Sequence, residues 1–176
     1  MGIDIRRIAA DEWRVLRELR LAALADSPEA FGQPLSEAAA QPDSEWISAS
    51  RAASSGDRRA WFIAWDRDRP VGLVQARRRP PDDCLVFSMW VSPAVRRAGV
   101  GRLLLDEVDR WAASWGARAV VLWVAAGNDA ATRFYERIGF VGLPTGPDAQ
   151  AGAAYGAAAM TRPIRPADQR GASGAG

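Results

Sequence analysis

The sequence contains no histidine and no lysine, and it has a single cysteine, Cys84. Without histidine, neither a Ser-His-Asp triad, nor a Cys-His pair, nor a zinc site of the usual kind can be built. One cysteine excludes a disulfide within the chain, and we predict that Cys84 is a small buried hydrophobic residue. These absences remove a large share of known enzyme chemistry, and we predict no metal site.

Excess charge is also missing. The 23 basic residues, all arginine, face 21 acidic ones, so the net charge is only +2. This net positive charge is too small for a domain that binds the phosphates of a nucleic acid. Arg77, Arg78 and Arg79 could form a basic patch for nucleic acid or an acidic substrate, but they adjoin Pro80 and Pro81. We interpret them as a solvated loop and predict no nucleic-acid partner.

Long apolar runs are absent as well. No stretch has the length or charge pattern of a signal peptide or a membrane span, so we predict a cytoplasmic protein without a membrane partner. At 176 residues, with 48% apolar and 25% charged residues, the chain has an ordinary globular balance. We predict one domain at 1–164, a disordered Gly/Ala-rich tail at 165–176, and a monomer or homodimer.

The spacing of apolar residues along the chain predicts the strands and helices. Strands are predicted at 3–8, 61–65, 71–77, 85–91, 119–124, 140–143 and 155–161. Helices are predicted at 11–28, at 36–53 with a break at Pro42, from 101 onward, and at 128–138. A loop is predicted at 144–152. The strands 85–91 and 119–124 flank a helix and can pair only in parallel, whereas the hairpins around them are antiparallel. The predicted fold class is α/β (α+β), with a mixed, mainly antiparallel sheet flanked by about four helices.

The stretch 91–105 joins a strand, a glycine-bearing turn and a helix start without a gap. Pro93 ends the strand, and apolar residues recur at helical spacing from Gly101. Gly99 and Gly101 leave the first amide groups of the helix open to approach, and Arg96 and Arg97 lie beside them. Such a helix start suits a diphosphate. The alternative is a plain strand-to-helix loop with two incidental arginines.

A second helix begins just after the strand 119–124, on the side of parallel strands where ligands bind. Asn128 and Tyr135 are separated by about two helical turns and therefore share one face of this helix.

These segments together resemble the GCN5-related N-acetyltransferase (GNAT) family. The matching pieces are Met89 to Pro93, then Arg-x-x-Gly-x-Gly at Arg96 to Gly101 before a leucine-rich helix, and the segment Asn128 to Phe140, which is similar to the family's second acetyl-CoA motif. The segments Leu19 to Leu24 and Asp26 to Gly32 are similar to the opening of many bacterial members. The resemblance spans 3–162 and implies the acyl-CoA N-acyltransferase fold, in which the two parallel strands splay apart.

The resemblance also implies roles for single residues. The backbone of Trp90 and Val91, at the splay, would pair with the pantetheine arm of acetyl-CoA, and Asn128 would contact the cofactor. The diphosphate loop would comprise Arg96, Arg97, Ala98, Gly99, Val100, Gly101 and Arg102. Tyr135 would donate a proton to the departing coenzyme A sulfur, which is sensible for a phenol of pKa about 10 beside a thiol of about 8.5. The alternative for Tyr135 is a core aromatic packed with Phe134 and Phe140.

The implied activity is direct transfer of an acetyl group from acetyl-CoA to a primary amine on a small molecule or peptide, in a ternary complex. The alternative is a non-catalytic acyl-CoA-binding module. Many family members place a glutamate on a central strand as the base, but neither predicted central strand carries an acid. The nearest carboxylates are Asp82 and Asp83, so we predict a water relay to solvent or to Asp83. Trp13 or Trp46 could line the acceptor pocket.

Overall fold

A computed structural model describes residues 2–164, so the predicted tail lies outside the described residues. The strands are β1 (Ile3–Arg7), β2 (Arg59–Asp66), β3 (Arg69–Arg79), β4 (Asp83–Val91), β5 (Ala119–Ala125), β6 (Val141–Gly142) and β7 (Ala157–Pro163). The α-helices are α1 (Trp13–Asp26), α2 (Leu35–Ala40), α3 (Asp43–Ser54), α4 (Val100–Ser114), α5 (Asp129–Arg137) and α6 (Pro147–Ala154). Short 3-10 turns form at Pro28–Ala30 and Pro93–Val95.

The strands make one seven-stranded sheet in the order β1-β2-β3-β4-β5-β7-β6. Neighbours are antiparallel, except that β4 and β5 run in parallel. The predicted mixed sheet with one parallel pair is therefore confirmed. The helix α4 links the two parallel strands, as such a crossover requires.

The parallel pair separates early. Its register covers only Asp83 with Ala119, Cys84 with Val120, and Leu85 with Val121. The gap thus begins at Val86, earlier along β4 than the position of Trp90 and Val91 that the resemblance implied.

A β-bulge lies in the separated part of β4. The register with β3 shifts between Leu73, which faces Trp90, and Gln75, which faces Phe87. Ser88, between these partners, has a φ of 52°. A bulge bends its own strand and increases the local twist, so β4 turns away from β5 while it stays bonded to β3.

The sheet separates two apolar layers. On one side, α4 packs its buried face, including Leu104, Leu105 and Val108, against β-strand residues such as Phe62. On the other side, α1 and α3 cover Trp61, Leu73 and Trp90 with residues such as Leu16 and Trp46.

The structure differs from the sequence prediction in the helix α6, which we predicted as a loop. Pro147 occupies the first turn, where a missing N–H costs nothing. Tertiary bonds fix the helix: the Asp148 carbonyl accepts from the Trp123 indole at 2.9 Å, and its carboxylate pairs with Arg79 at 2.6 Å. The Gly- and Ala-rich segment that forms α6 shows little hydrophobic periodicity, so the sequence did not indicate this helix. The described residues contain six α-helices, compared with about four predicted.

Two further expectations concern single residues. Cys84 is fully buried, as predicted, and burial raises the pKa of its thiol to about 12. Arg77 ends the strand predicted at 71–77, and β3 continues through Arg78 and Arg79 in place of a solvated loop, because the hairpin with β4 extends to the pair Arg79–Asp83. Among residues 2–164, no helix combines the length and apolar character that crossing a membrane needs.

Candidate active site

The gap between β4 and β5 contains a cavity of about 90 Å³. Its lining comprises Ala30, Phe31, Val86, Phe87, Ser88, Met89, Leu122, Trp123, Val124, Ala125, Asn128, Ala131 and Tyr135. The segment after α1 closes one side through Phe31, and α5 closes the other through Tyr135. No residue of this lining is charged. The cavity can accordingly hold a neutral reacting group between two strands with unpaired backbone.

Tyr135 packs in the aromatic core and also lines the cavity. It is 9% exposed and packs edge-to-face on Phe134 and Phe140, with ring centroids 5.2 and 5.4 Å away. Its hydroxyl donates to the sulfur of Met89 at 3.4 Å, at the cavity wall. Burial raises the pKa of Tyr135 above its ordinary value, so the phenol stays protonated. A rigid, neutral O–H donor thus faces the space between the strands.

The loop before α4 presents backbone donors. Gly99 caps the helix with a φ of 80°, and Arg97 is also left-handed, at 67°. The amides of Ala98 and Arg102 already bond to the carbonyls of Val95 and Gly99. In residues 2–164, the amides at 97, 99, 100 and 101 have no backbone acceptor. Of the predicted diphosphate amides, four are therefore open.

The two glycines of this loop differ. A Cβ at Gly99 would meet no atom within 4 Å, so this side of the loop is open to a ligand. A Cβ at Gly101 would come within 3.1 Å of Met89 Cε and of Phe134 Cζ. Gly101 lets α4 pack closely on the cavity wall, whereas the space beside Gly99 is open.

Arg96 is held by partners within the protein. Its Nε donates to the carbonyl of Val91 at 2.9 Å, and its NH2 bonds to the carboxylate of Asp26. The same Asp26 oxygen accepts the indole N–H of buried Trp90 at 2.9 Å and the hydroxyl of Ser27 at 2.7 Å. We call Asp26, Trp90 and Arg96 the Asp26 cluster. It joins the end of α1, the end of β4 and the loop before α4.

The sequence analysis did not single out Asp26 as a functional residue. A buried indole N–H needs an acceptor, but nothing in the sequence indicates that the acceptor of Trp90 lies 64 positions earlier. The Trp90 N–H, and then Ser27 and Arg96, hold the pKa of Asp26 below its usual range.

We expect Asp26→Asn to lower the free energy of unfolding by about 1 kcal/mol, because a charge-assisted bond to half-exposed Arg96 is lost while an oxygen for Trp90 remains. Urea unfolding measures this loss. Because the pKa of Asp26 is lowered, the difference from wild type should persist above about pH 4 and shrink as the pH falls through that lowered value. Asp106→Asn, which removes an exposed partner of Arg102 at 3.9 Å, is the control and should change stability by less than about 0.5 kcal/mol.

Asn128 has a structural role that the sequence did not specify. Its side-chain oxygen accepts the amide of Ala131 at 3.1 Å and so caps α5. Asn128 also lines the cavity. The cap fixes the start of the helix that carries Tyr135.

The acidic residues closest in sequence to the central strands lie elsewhere. Asp83 begins β4 and pairs with Arg79 at 2.7 Å, and Asp82 pairs with Arg118 at 3.0 Å. Asp83 lies five residues before Ser88, about 16 Å along a strand. The predicted relay to Asp83 is therefore wrong: this carboxylate lies at the closed end of the strand pair.

The two tryptophans suggested for the acceptor wall do not line the cavity. Trp46 is 6% exposed and belongs to the core between α1, α3 and the sheet. Trp13 is half-buried and lines a separate surface groove with Arg14, Arg17 and Glu18. Phe31, Phe87 and Trp123 supply the aromatic walls of the cavity instead.

Comparison with known proteins gives the family. The model of the acetyltransferase (GNAT) family matches residues 16–140. The mycothiol acetyltransferase of Geodermatophilus obscurus is 34% identical over 90 residues, which cover 48% of this chain and 29% of that protein. An uncharacterized N-acetyltransferase of Mycobacterium tuberculosis is 34% identical over 83 residues, 47% of this chain and 53% of that protein. The chain thus matches about half or less of the length of these relatives.

Solved structures agree on the fold. A GNAT-family acetyltransferase from Streptococcus pneumoniae superposes with a TM-score of 0.73 at 22% identity, over 93% of this chain and 100% of that one. PaiA N-acetyltransferase from Thermoplasma acidophilum, in complex with coenzyme A, gives 0.66 at 15% identity, over 93% and 99%. Since the family model covers most of the chain and the fold agrees, the chain belongs to the GNAT family of acetyltransferases.

Proposed function

We propose that the protein is an N-acetyltransferase that moves the acetyl group of acetyl-CoA to a primary amine by direct attack in a ternary complex. The observation that carries this proposal is the gap between β4 and β5, with Tyr135 at its wall and the loop of open amides before α4 beside Met89, which lines the same cavity. Cys84 is fully buried, with a raised thiol pKa, so an acyl-cysteine intermediate is disfavoured.

The residues present fit acetyl-CoA. The four open amides, the positive end of α4 and Arg97 would hold the diphosphate, and the open side of Gly99 gives it room. Backbone groups of β4 near Trp90 and Val91 would hold the pantetheine arm, although the Val91 carbonyl already accepts from Arg96. When bound there, acetyl-CoA supplies an acetyl group activated as a thioester.

Tyr135 would protonate the departing sulfur. Burial raises the pKa of this phenol, and the same burial would raise that of a thiol leaving in the cavity, as it does for Cys84. The two proton affinities therefore shift in the same direction, and transfer from oxygen to sulfur remains feasible. In the free protein the hydroxyl donates to the sulfur of Met89, and both residues line the cavity.

The attacking amine must lose a proton. Only about one part in 2,500 of an alkyl amine of pKa about 10.4 is neutral at pH 7. Deprotonating the amine at this pH therefore costs roughly 4–5 kcal/mol. The cavity lining in the described chain has no carboxylate to accept this proton. Ser88 and backbone carbonyls are polar groups at the gap that have no other proposed role, so we propose a water relay from them to solvent.

We expect kcat/KM to rise steadily from about pH 6 to 10, toward the pKa of the amine, since no dedicated base levels it off. The raised pKa of Tyr135 keeps the phenol protonated over this range, so it should not impose a fall. Asp82→Asn and Asp83→Asn should each stay within about threefold of wild type, because both carboxylates are in remote ion pairs. A plateau near neutral pH, or a thousandfold loss in either variant, would show that a carboxylate base exists.

The competing function is an acyl-CoA-binding module without turnover. Release of coenzyme A from acetyl-CoA, measured with a panel of primary amines, separates the two. Amine-dependent release supports the transferase. Tight acetyl-CoA binding without release for any amine supports the module.

A further inference from the structure

Three consecutive arginines end β3, and they differ in their partners. Arg78 pairs with Asp57, and Arg79 pairs with both Asp83 and Asp148. Within residues 2–164, Arg77 has no carboxylate within ion-pair distance. One guanidinium of this run is therefore available to an anion from outside the chain.

Arg77 is nonetheless held in place. Its Nε donates to the side-chain oxygen of Gln75 at 2.9 Å, and Gln75 is itself only 6% exposed. Its guanidinium carbon lies 5.1 Å from the centroid of the Phe87 ring. The stack and the bond orient the planar fork, which reduces the entropy that is lost when it binds a ligand.

A second arginine lies directly opposite. Arg59 on β2 is the cross-strand partner of Arg77, and the described residues place no carboxylate within ion-pair distance of Arg59 either. Burial and then the charge of Arg59 lower the pKa of Arg77. Like charges directly opposite on a sheet are destabilising. This arrangement costs stability in the protein alone and is relieved when an anion lies between the two side chains.

The arginine pair adjoins the proposed active site. Arg77 faces Leu85, the last residue of β4 that is still bonded to β5. The ring of Phe87, beneath the guanidinium, lines the cavity and stacks on Trp123 with centroids 5.7 Å apart. A molecule lying along this face would have one end at Arg77 and the other at the opening between the strands.

We infer that the acceptor is an amine bearing a carboxylate several bonds away, and that Arg77, with Arg59, binds this carboxylate while the amine reaches the gap beside Ser88. This inference rests on the proposed acetyl transfer and names its substrate class. Leu85 and Ser88 are three residues apart, about 10 Å along the strand. A medium-length ω-amino acid or a dipeptide spans such a distance. A polyamine carries the wrong charge for Arg77.

A homologous series tests the inference. Glycine, β-alanine, 4-aminobutyrate, 6-aminohexanoate and glycylglycine are each compared with the corresponding amide, which keeps the size and removes the negative charge. For the longer members we expect kcat/KM of the acid to exceed that of the amide by about tenfold, the value of one charge-assisted hydrogen-bonded pair. Spermidine should be a poorer acceptor than 6-aminohexanoate. Amides or spermidine that match or outperform the acids would overturn the inference.

Substitutions of Arg77 test whether this residue binds the carboxylate of the acceptor. Arg77→Gln should raise KM for the acids about tenfold and leave the amides within about twofold, with kcat little changed. Arg77→Lys keeps the charge but loses the planar guanidinium, so its KM for the acids should lie between those of wild type and Arg77→Gln. Arg69→Gln removes an exposed arginine from the other end of β3 and should retain the preference for acids. Equal losses for acids and amides in Arg77→Gln would reduce Arg77 to a structural role.

Binding separates this inference from the proposed activity. Calorimetric titration with 6-aminohexanoate and its amide measures recognition without turnover. Acid-selective binding that Arg77→Gln abolishes, with no acetylation, would support the Arg77 site and refute the transferase. Acetylation of amides and acids at equal rates would support the transferase and refute the site.

Discussion

Replacing Tyr135 with phenylalanine is expected to lower kcat by about 10²–10⁴-fold, the usual contribution of a general acid. The ring keeps its packing on Phe134 and Phe140, and only the hydroxyl that reaches Met89 is lost. The affinity for acetyl-CoA should stay within about threefold, because the hydroxyl acts on the transition state more than on the bound cofactor. Steady-state kinetics in a regime where chemistry limits turnover, with calorimetry for the cofactor, measures both.

The chain offers a matched control in Tyr155, its other tyrosine. Tyr155 is 87% exposed, and Tyr155→Phe removes the same hydroxyl at the end of α6, away from the cavity lining. Its kcat should equal that of wild type. A Tyr135→Phe variant that retains more than half of the wild-type kcat would leave Tyr135 with only its role in the core.

Gly99→Asp is expected to abolish measurable acetyl-CoA binding. The new carboxylate would stand beside the open amides, where a diphosphate would otherwise lie, and like charges a few ångströms apart repel strongly in a partly enclosed site. Calorimetric titration of acetyl-CoA measures the effect. Gly99 is the right position because Gly101→Asp would also press on Met89 and Phe134, so a loss there would not report on charge.

Gly99→Asn separates the effect of the new negative charge on acetyl-CoA binding from the effect of the added side chain's bulk. Gly99 has a φ of 80°, and asparagine and aspartate are the side chains that best tolerate this region. Both variants therefore carry similar backbone strain and similar bulk. We expect the asparagine variant to lose much less affinity than the aspartate variant. Equal affinities, or binding unchanged in both, would contradict the diphosphate assignment.

Local sequence patterns predicted those parts of the site that depend on neighbours in the chain. Pro93, Gly99 and the apolar spacing after Gly101 indicated a strand, a turn and a helix start, and the structure has them in that order. The turn at 97–101 follows from backbone conformations that few residues adopt, so its open amides were also predictable.

Features that depend on distant pairing were not predictable in this way. The bond from Trp90 to Asp26 and the pairing of Arg79 with Asp148 join segments that share no local pattern. Helix α6 forms because Trp123 and Arg79 hold its first turn, and its own composition gives little signal. The separated part of β4 contains a bulge at Ser88, a residue whose sequence context gave no sign of a left-handed backbone.

The early separation of β4 from β5 leaves the sheet with two internal edges. From Val86 onward, β4 is bonded to β3 alone, and beyond Val121 β5 is bonded to β7 alone. Exposed edges are normally a liability, because unpaired N–H and C=O groups attract any extended chain. Here the two edges line the same cavity of about 90 Å³, together with Phe31 and Tyr135. The central sheet is therefore continuous at one end of β4 and β5 and open at the other, and we propose that a slender, extended ligand pairs with these free edges when it binds.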